Sequence, residues 1–303
     1  MMPIHPHFLT FTTGNCRMAT KVSRKGMVKT RFQLPRPALQ QAVVTVLPVT
    51  VGMILLSWLG VFSSATFDTG VENYAERWEG GVPSWLPMPL NTIVNAGYIL
   101  VCAYWCCLIW QANRVGFVKC QDAFLFYTFN IMGCLYGLIQ AYRILYQSPA
   151  SAIIDQWYTL PFFMMVVVWA QVFHHGWSMQ RFVILMFISV ASYSLSLVTS
   201  WGFEITLGCH ISLAIYTVTC AYRKYPSDEA LQYFVLGTLS CFGFVILKLL
   251  DLILPQFHWI FNKITGHFLS KICDIFQIYY SNEFFFTMIF DKAAAHSVLP
   301  NTE

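Results

Sequence analysis

IIDQWYTLPFFMMVVVWAQVF, residues 153–173, is the stretch of sequence that decides the fold. Asp155 is its single charged residue, and a helix needs about 20 mainly apolar residues to cross a bilayer. Seven further stretches have the same apolar character, and their approximate limits are 41–63, 88–110, 122–147, 180–199, 202–222, 230–254 and 265–290. The sequence therefore predicts an all-α integral membrane protein with about eight spans.

The composition agrees with this class. Hydrophobic residues make up 57% of the 303 residues and charged residues 11%, whereas charged residues make up about 25% of an ordinary soluble domain. This excludes a soluble globular enzyme. We expect a single polytopic domain over 39–292, preceded by a disordered basic arm over 1–38 and followed by a short tail over 293–303.

The charges predict an orientation. Seven Lys and Arg and no acidic residue lie in the first 36 residues, and basic segments stay on the cytosolic side of a membrane. An even number of spans then returns the C-terminus to the cytosol. Because no sorting signal is present, we expect a secretory-pathway membrane, the Golgi or another endomembrane, with both termini cytosolic.

Polar residues inside the spans gather near one end of each span. Such residues are costly in hydrocarbon and usually face a cavity or one another. In the predicted topology this end is not cytosolic, so we predict a polar cavity that opens toward the lumen or the cell exterior. Its candidate residues are Asn91, Asn95, Arg143, Asp155, Glu204, His210, Lys248, Asp251, His267, Lys271 and Asp274.

Helical spacing places several of these residues on common faces. His267, Lys271 and Asp274 are spaced i, i+4, i+7, and Lys248 and Asp251 are spaced i, i+3. Each set can point into a shared interior. The alternative is that Lys248 with Asp251, and Lys271 with Asp155 or Asp274, only form ion pairs that hold the helices in register.

Five segments of the chain resemble the transmembrane protein 187 family of multi-pass membrane proteins. They are ENYAERW (72–78), MPLNTIVNAGY (88–98), IIDQWYTLP (153–161), LKLLDLIL (247–254) and ITGHFLSKICDIFQ (264–277). The resemblance covers nearly everything from residue 41 onward. It implies a multi-pass membrane protein and supplies no activity.

A more distant resemblance is to the alkaline ceramidases and the wider CREST superfamily of hydrolases, which have seven helices. The corresponding places are Glu72–Ala75, Asn91–Asn95, Asp155–Pro161 and His267–Lys271. The resemblance implies a seven-helix CREST-like bundle with one extra transmembrane helix at its N-terminus.

The chain departs from these hydrolases at the residues that carry chemistry. The hydrolases hold zinc with three His, but here only His267 matches, Lys271 stands at the second His position, and Val94 replaces a Ser. The resemblance therefore implies a scaffold without zinc chemistry. In it the Lys271 ammonium takes the space of a cation and neutralises Asp155 or Asp274.

We favour a non-catalytic membrane protein whose cavity binds a lipid or another amphiphile. Its partners are then membrane lipid and a lipid-like ligand, with no nucleic acid. Two alternatives stay open: a transporter or channel, and a metal-dependent hydrolase of sphingolipid-like amides built on His210, His267, Asp155 and Asp251. Oxygen ligands for a calcium-like ion near the cavity mouth are offered by Asp68, Glu72 and Asn73.

Overall fold

The computed structural model describes residues 36–77 and 82–298. This part of the chain forms helices and turns and contains no strand. The α-helices are α1 Arg36–Trp58, α2 Pro89–Ile93, α3 Ala96–Arg114, α4 Cys120–Tyr146, α5 Pro149–His175, α6 Met179–Ser192, α7 Gly202–Lys224, α8 Asp228–Leu249 and α9 Gly266–Val298. The predicted basic arm lies outside the described residues as far as residue 35, as does the predicted tail from residue 299.

Each predicted apolar stretch contains a helix. Seven segments of the described chain are long and apolar enough to cross a membrane: Pro37–Trp58, Pro89–Arg114, Cys120–Tyr146, Pro149–His175, Met179–Leu197, Gly202–Lys224 and Asp228–Leu249. The longest helix, α9, carries more charged residues and packs along α8. The predicted all-α integral membrane fold is confirmed, whereas its likeness to the CREST bundle stays a prediction.

Short capped turns make neighbouring helices antiparallel. Ser148 accepts a hydrogen bond from the Ser151 backbone, the Ser151 side chain accepts one in return from the Ser148 backbone, and Pro149 follows the cap. This pair of bonds satisfies amide groups that the first turn of α5 would otherwise leave unpaired. The turn before it ends α4 with Gln147 in the left-handed conformation, so the chain reverses within a few residues.

Helices α4 and α5 form the centre of the bundle. In their most apolar windows 72% and 83% of residues are buried, against 17–33% in the other five segments. Aromatic rings fill the space around them: Phe129 stacks on Phe162 with centroids 4.7 Å apart, and Trp169 stacks on Phe285 at 4.2 Å. The outer helices turn their remaining apolar side chains away from the protein, as a bilayer requires.

The polar residues lie at the end of the bundle where α4, α6 and α8 finish and where α2, α5, α7 and α9 begin. Hydrogen bonds between distant segments establish this arrangement, among them Gly70 N to Gln147 and Ala75 N to Asp251. We call this end of the bundle the site end.

Candidate functional site

Lys271 on α9 is the centre of the buried polar cluster. Its side chain is 2% exposed, and its Nζ donates to Asn95 Oδ1 at 2.9 Å and to Gln140 Oε1. The other atom of that amide, Gln140 Nε2, donates to Asp155 Oδ1 at 2.5 Å. The ammonium is thus held by two amide oxygens, and Asp155 is linked to it through Gln140.

Asp274 lies one helical turn further along α9 and has a phenolic partner. The Tyr98 hydroxyl donates to Asp274 Oδ2 at 2.7 Å, and both side chains are buried. The Tyr98 ring in turn packs edge-on against Tyr136, with centroids 5.4 Å apart. These contacts join α3, α4 and α9 around the cluster.

Asp251 connects the segment before α2 to the start of α9. Its Oδ2 accepts from Ala75 N at 2.9 Å and its Oδ1 accepts from His267 N at 2.6 Å. A carboxylate is favourable there because the N-terminus of a helix carries partial positive charge. Lys248 is exposed, with its Nζ 5.9 Å from the centre of the Phe244 ring. The hydrogen bonds of Asp251 therefore go to the backbone rather than to Lys248.

Glu76 binds the N-terminus of α2 with its carboxylate, as Asp251 binds that of α9. Its two carboxylate oxygens accept from Leu90 N at 2.8 Å and from Asn91 N at 3.0 Å, and its side chain is 2% exposed. Residues 74–77, which we call the strap, thereby hold the N-terminus of α2 directly through Glu76 and that of α9 indirectly through Asp251. Nothing in the sequence singles out Glu76, because it is one of several acidic residues in a polar loop.

Tyr74 brings an aromatic ring of the strap onto His267. The two rings are perpendicular, with centroids 4.9 Å apart. Burial raises the pKa of the Tyr74 phenol, so this group stays protonated and uncharged. His267 is consequently covered by the strap on one side.

Two buried polar side chains at the site end lack hydrogen-bond partners within the described part of the chain. They are Asn91, whose amide nitrogen and oxygen are both unpaired, and His267, whose Nε2 is unpaired. Asn91 is fully buried and His267 is 8% exposed. A buried polar group without a partner costs about 1–3 kcal/mol, so these atoms are costly to the fold as the chain stands alone.

The remaining predicted residues lie outside this cluster. Arg143 donates to the Asp68 carbonyl and to Gln147 Oε1, and so anchors the loop that leads to the strap. His210 Nε2 lies 2.9 Å from the Ser189 hydroxyl and its Nδ1 lies 2.8 Å from the Thr206 carbonyl, which joins α6 to α7. Glu204 is exposed at the start of α7.

The donor set does not fit the zinc site implied by the distant resemblance. Within residues 36–77 and 82–298 no group of three or more His, Cys, Asp or Glu is arranged to hold a metal ion. Lys271 fills the position one turn after His267, and the imidazole of His210 is bonded to α6 and to its own helix. No chemical step through a metal follows from these residues.

The predicted calcium-like site stays a prediction. Asp68 and Glu72 are exposed at the loop surface. Asn73 uses its amide nitrogen to donate to the Thr69 carbonyl at 2.8 Å, which leaves its oxygen available. Gly70 between them has φ +102°, where only glycine is comfortable.

A small apolar groove of about 60 Å³ lies deeper in the bundle between α5, α7, α8 and α9. Its walls include Phe163, Ala214, Cys241 and Phe285. Gln277 also lines it and follows Asp274 by three residues, or about 4.5 Å along a helix axis. Because α7 packs chiefly on α5, and α8 on α9, the groove faces the membrane where α7 and α8 diverge.

Comparison with known proteins gives one consistent result. Residues 42–286 match the model of the TMEM187 protein family. Human Transmembrane protein 187 is 38% identical over 222 residues, which is 73% of this chain and 82% of the human protein. Transmembrane protein 187 of Bos taurus is 37% identical over 224 residues, covering 73% of this chain and 86% of its own. No solved structure matches the chain.

Proposed function

The chain belongs to the TMEM187 protein family of multi-pass membrane proteins, and on this premise we propose that it is a non-catalytic protein that binds a lipid or another amphiphile at the site end. The observation that carries the proposal is the pair of buried, unpartnered polar side chains, Asn91 and His267. An amide and a neutral imidazole together offer both donors and acceptors, so they suit an uncharged hydroxyl or amide head group.

The apolar groove supports an amphiphile rather than a small polar solute. It lies deeper along α9 than His267 and opens toward the membrane. Gln277 in the groove follows His267 by ten residues, or about 15 Å along the axis of α9, a distance that an amphiphile with a polar head and an extended apolar chain can span. Burying apolar surface contributes about 25 cal/mol per Å², so apolar contacts in this small groove add to the affinity that the polar head group provides.

Lys271 supports the non-catalytic part of the proposal. Its Nζ is bonded to Asn95 and Gln140 in the middle of the cluster. A catalytic zinc site needs three protein ligands and an open position for water. The fixed ammonium occupies that region and repels a second cation. The orientation that accompanies this proposal puts the site end on the non-cytosolic face, in a secretory-pathway membrane.

Lipid retention tests the proposal. Protein is purified from membranes, its bound lipid is extracted, and the lipids are identified and counted by mass spectrometry. We expect the wild-type chain to retain one lipid class stoichiometrically, and Asn91→Leu and His267→Leu to retain at least about tenfold less, since each loses a buried polar contact. His174→Leu is the matched control, because His174 is an exposed His at the opposite end of the bundle.

The same variants show whether Asn91 and His267 bind lipid or only stabilise the fold. In delipidated protein the Leu substitutions should leave the unfolding temperature unchanged or raise it, because they remove unpaired buried polar atoms. Equal lipid retention in wild type and both variants would contradict the binding site. Release of fatty acid from ceramide by purified protein, blocked by Asp155→Asn, would contradict the non-catalytic assignment.

A further inference from the structure

A second concavity at the site end is chemically different from the cluster around Lys271. It has a volume of about 400 Å³ and lies between the end of α1, the turn that follows it, the end of α4 and the start of α5. Its lining includes three aromatic residues, Trp58, Tyr142 and Tyr146, and three serines, Ser57, Ser63 and Ser148. We call it the hydroxyl cleft.

The hydroxyl cleft offers aromatic faces and unused hydroxyl groups. Trp58 and Tyr146 are 63% and 65% exposed, and the rings of Tyr142 and Tyr146 lie 4.5 Å apart. The hydroxyls of Ser57 and Ser148 make local hydrogen bonds. Within the described part of the chain, the hydroxyls of Ser63, Tyr142 and Tyr146 make none.

The cleft carries no charged group among its described lining residues. Phosphate and carboxylate head groups are bound by Arg, Lys or helix N-termini. The start of α5 lines the cleft, but Ser151 N and Ala152 N already donate to Ser148 and Pro149 has no N–H group, so the site favours an uncharged ligand over an anionic one. Aromatic faces combined with neutral hydroxyls instead match a ring that has apolar C–H faces and hydroxyl groups at its edge. That is the chemistry of an uncharged sugar.

The position of the cleft indicates where the sugar comes from. Trp58 ends α1, and Leu55 on the same helix and Leu59 directly after it are 57% and 78% exposed. Exposed Trp and Tyr at the end of a span lie at the level of lipid head groups. A sugar carried by a membrane lipid therefore reaches the cleft while its chains stay in the bilayer against α1.

A belt of interfacial aromatic residues is the simpler explanation of Trp58 and Tyr146. Such a belt requires only an outward-facing ring. Here the rings, together with three Ser, line one concavity whose volume is in the range of small-molecule sites. We propose that the hydroxyl cleft binds the uncharged sugar head group of a glycolipid, a site separate from the one proposed above.

Photo-crosslinking tests this site. The protein is purified in a detergent without a sugar head group, reconstituted in phosphatidylcholine nanodiscs, and exposed to photoactivatable glucosylceramide. Crosslinked residues are mapped by mass spectrometry. We expect labelling of the end of α1 and the end of α4. Trp58→Ala and Tyr146→Ala should each reduce it by about fivefold, since each removes a stacking face.

Trp201→Ala is the matched control. Trp201 is 68% exposed at the site end, at the start of α7, and does not line the cleft. Its removal should leave labelling unchanged. Tyr146→Phe keeps the ring and loses the hydroxyl, so labelling should fall between that of the wild type and that of Tyr146→Ala. An unfolded variant would not give this intermediate labelling.

Three further probes decide the ligand class. Photoactivatable ceramide, which lacks the sugar, should not label the cleft, and labelling equal to that of glucosylceramide would overturn the proposal. If a photoactivatable phosphatidylserine labels the cleft as strongly as glucosylceramide does, the site does not select an uncharged head group and the proposal is overturned. Displacement of the probe by methyl glucoside at matched concentration would show that a soluble sugar, not a lipid, is the ligand, and would overturn the lipid source.

Discussion

The most informative residue is Lys271, a charged side chain that is almost fully buried within the bundle. Burying an ammonium is costly unless it is paired and hydrogen-bonded. Here the compensation comes from the oxygens of Asn95 and Gln140, with Asp155 bonded to the far side of Gln140. The arrangement spreads the compensation over three other helical segments, so the cation holds them together.

Replacing Lys271 should destabilise the bundle. In Lys271→Met the side chain keeps its length, but the oxygens of Asn95 and Gln140 lose their donor. We expect the free energy of unfolding to fall by about 2–5 kcal/mol, since two buried acceptors lose a charged donor and each unsatisfied buried group costs about 1–3 kcal/mol. Thermal unfolding in detergent, followed by tryptophan fluorescence, measures the effect.

Lys248→Met is the control for that measurement, since Lys248 is an exposed Lys at the same end of the bundle. Surface substitutions usually change the free energy of unfolding by less than about 0.5 kcal/mol. If the two variants unfold at the same temperature, the buried hydrogen bonds of Lys271 contribute nothing to stability.

Sequence patterns locate part of this cluster and omit the rest. Lys271 and Asp274 stand out because ionisable residues are rare in spans. Gln140 and Tyr98 do not stand out, since a single Gln or Tyr is common within an apolar run. Their partners are 131 and 176 residues away along the chain, so only the tertiary fold shows that they meet.

At the scale of elements, the strap ties α2 and α9 together through two carboxylates. Asp251→Ala leaves Ala75 N and His267 N without their acceptor, and we expect it to cost about 2–3 kcal/mol because both hydrogen bonds are charge-assisted. Hydrogen exchange should rise in residues 72–77 and in the first turn of α9. Glu204→Ala, at an exposed acidic residue of the same end, should change neither region.

The contact between α3 and α4 depends on Gly137. A Cβ at this position would lie 2.8 Å from Tyr98 Cβ and 3.0 Å from the Asn95 carbonyl oxygen. Gly137→Ala should therefore push α3 away from α4, move Asn95 from Lys271, and lower both the unfolding temperature and lipid retention. A Cβ on Gly208 meets nothing within 4 Å, so Gly208→Ala should stabilise α7 by up to about 1 kcal/mol.

The helices themselves follow from the sequence because apolar runs of bilayer length have few alternatives in a membrane. The finer features of the helices cannot be predicted from these apolar runs. The break between α2 and α3 occurs at Val94 and Asn95, within a continuous apolar stretch. At the break Asn95 Nδ2 donates to the carbonyl oxygens of Asn91 and Thr92, and Asn95 Oδ1 accepts from Lys271, 176 residues away along the chain. A local pattern therefore cannot reveal it.

At the scale of the whole molecule, polar side chains collect at the site end while the basic residues of the sequence concentrate in its first 36 residues. Helix α1 runs from Arg36 to the site end, so Arg36, the last basic residue of that stretch, lies at the opposite end of the bundle. In the orientation that we propose from the positive-inside rule, that opposite end is cytosolic and the site end faces the lumen or the cell exterior. Both proposed ligands would thus be taken from the non-cytosolic leaflet.

Glycosylation scanning tests this orientation with a clean background, because the sequence contains no Asn-x-Ser/Thr acceptor. Ser64→Asn creates Asn-Ala-Thr at an exposed position of the loop after α1, and Val28→Asn creates Asn-Lys-Thr in the basic arm without changing its charge. We expect only the Ser64 variant to gain mass on a gel, reversibly on glycosidase treatment, since only the lumenal face meets the glycosylation machinery. Modification of the Val28 variant alone would reverse the orientation and put both binding sites on the cytosolic leaflet.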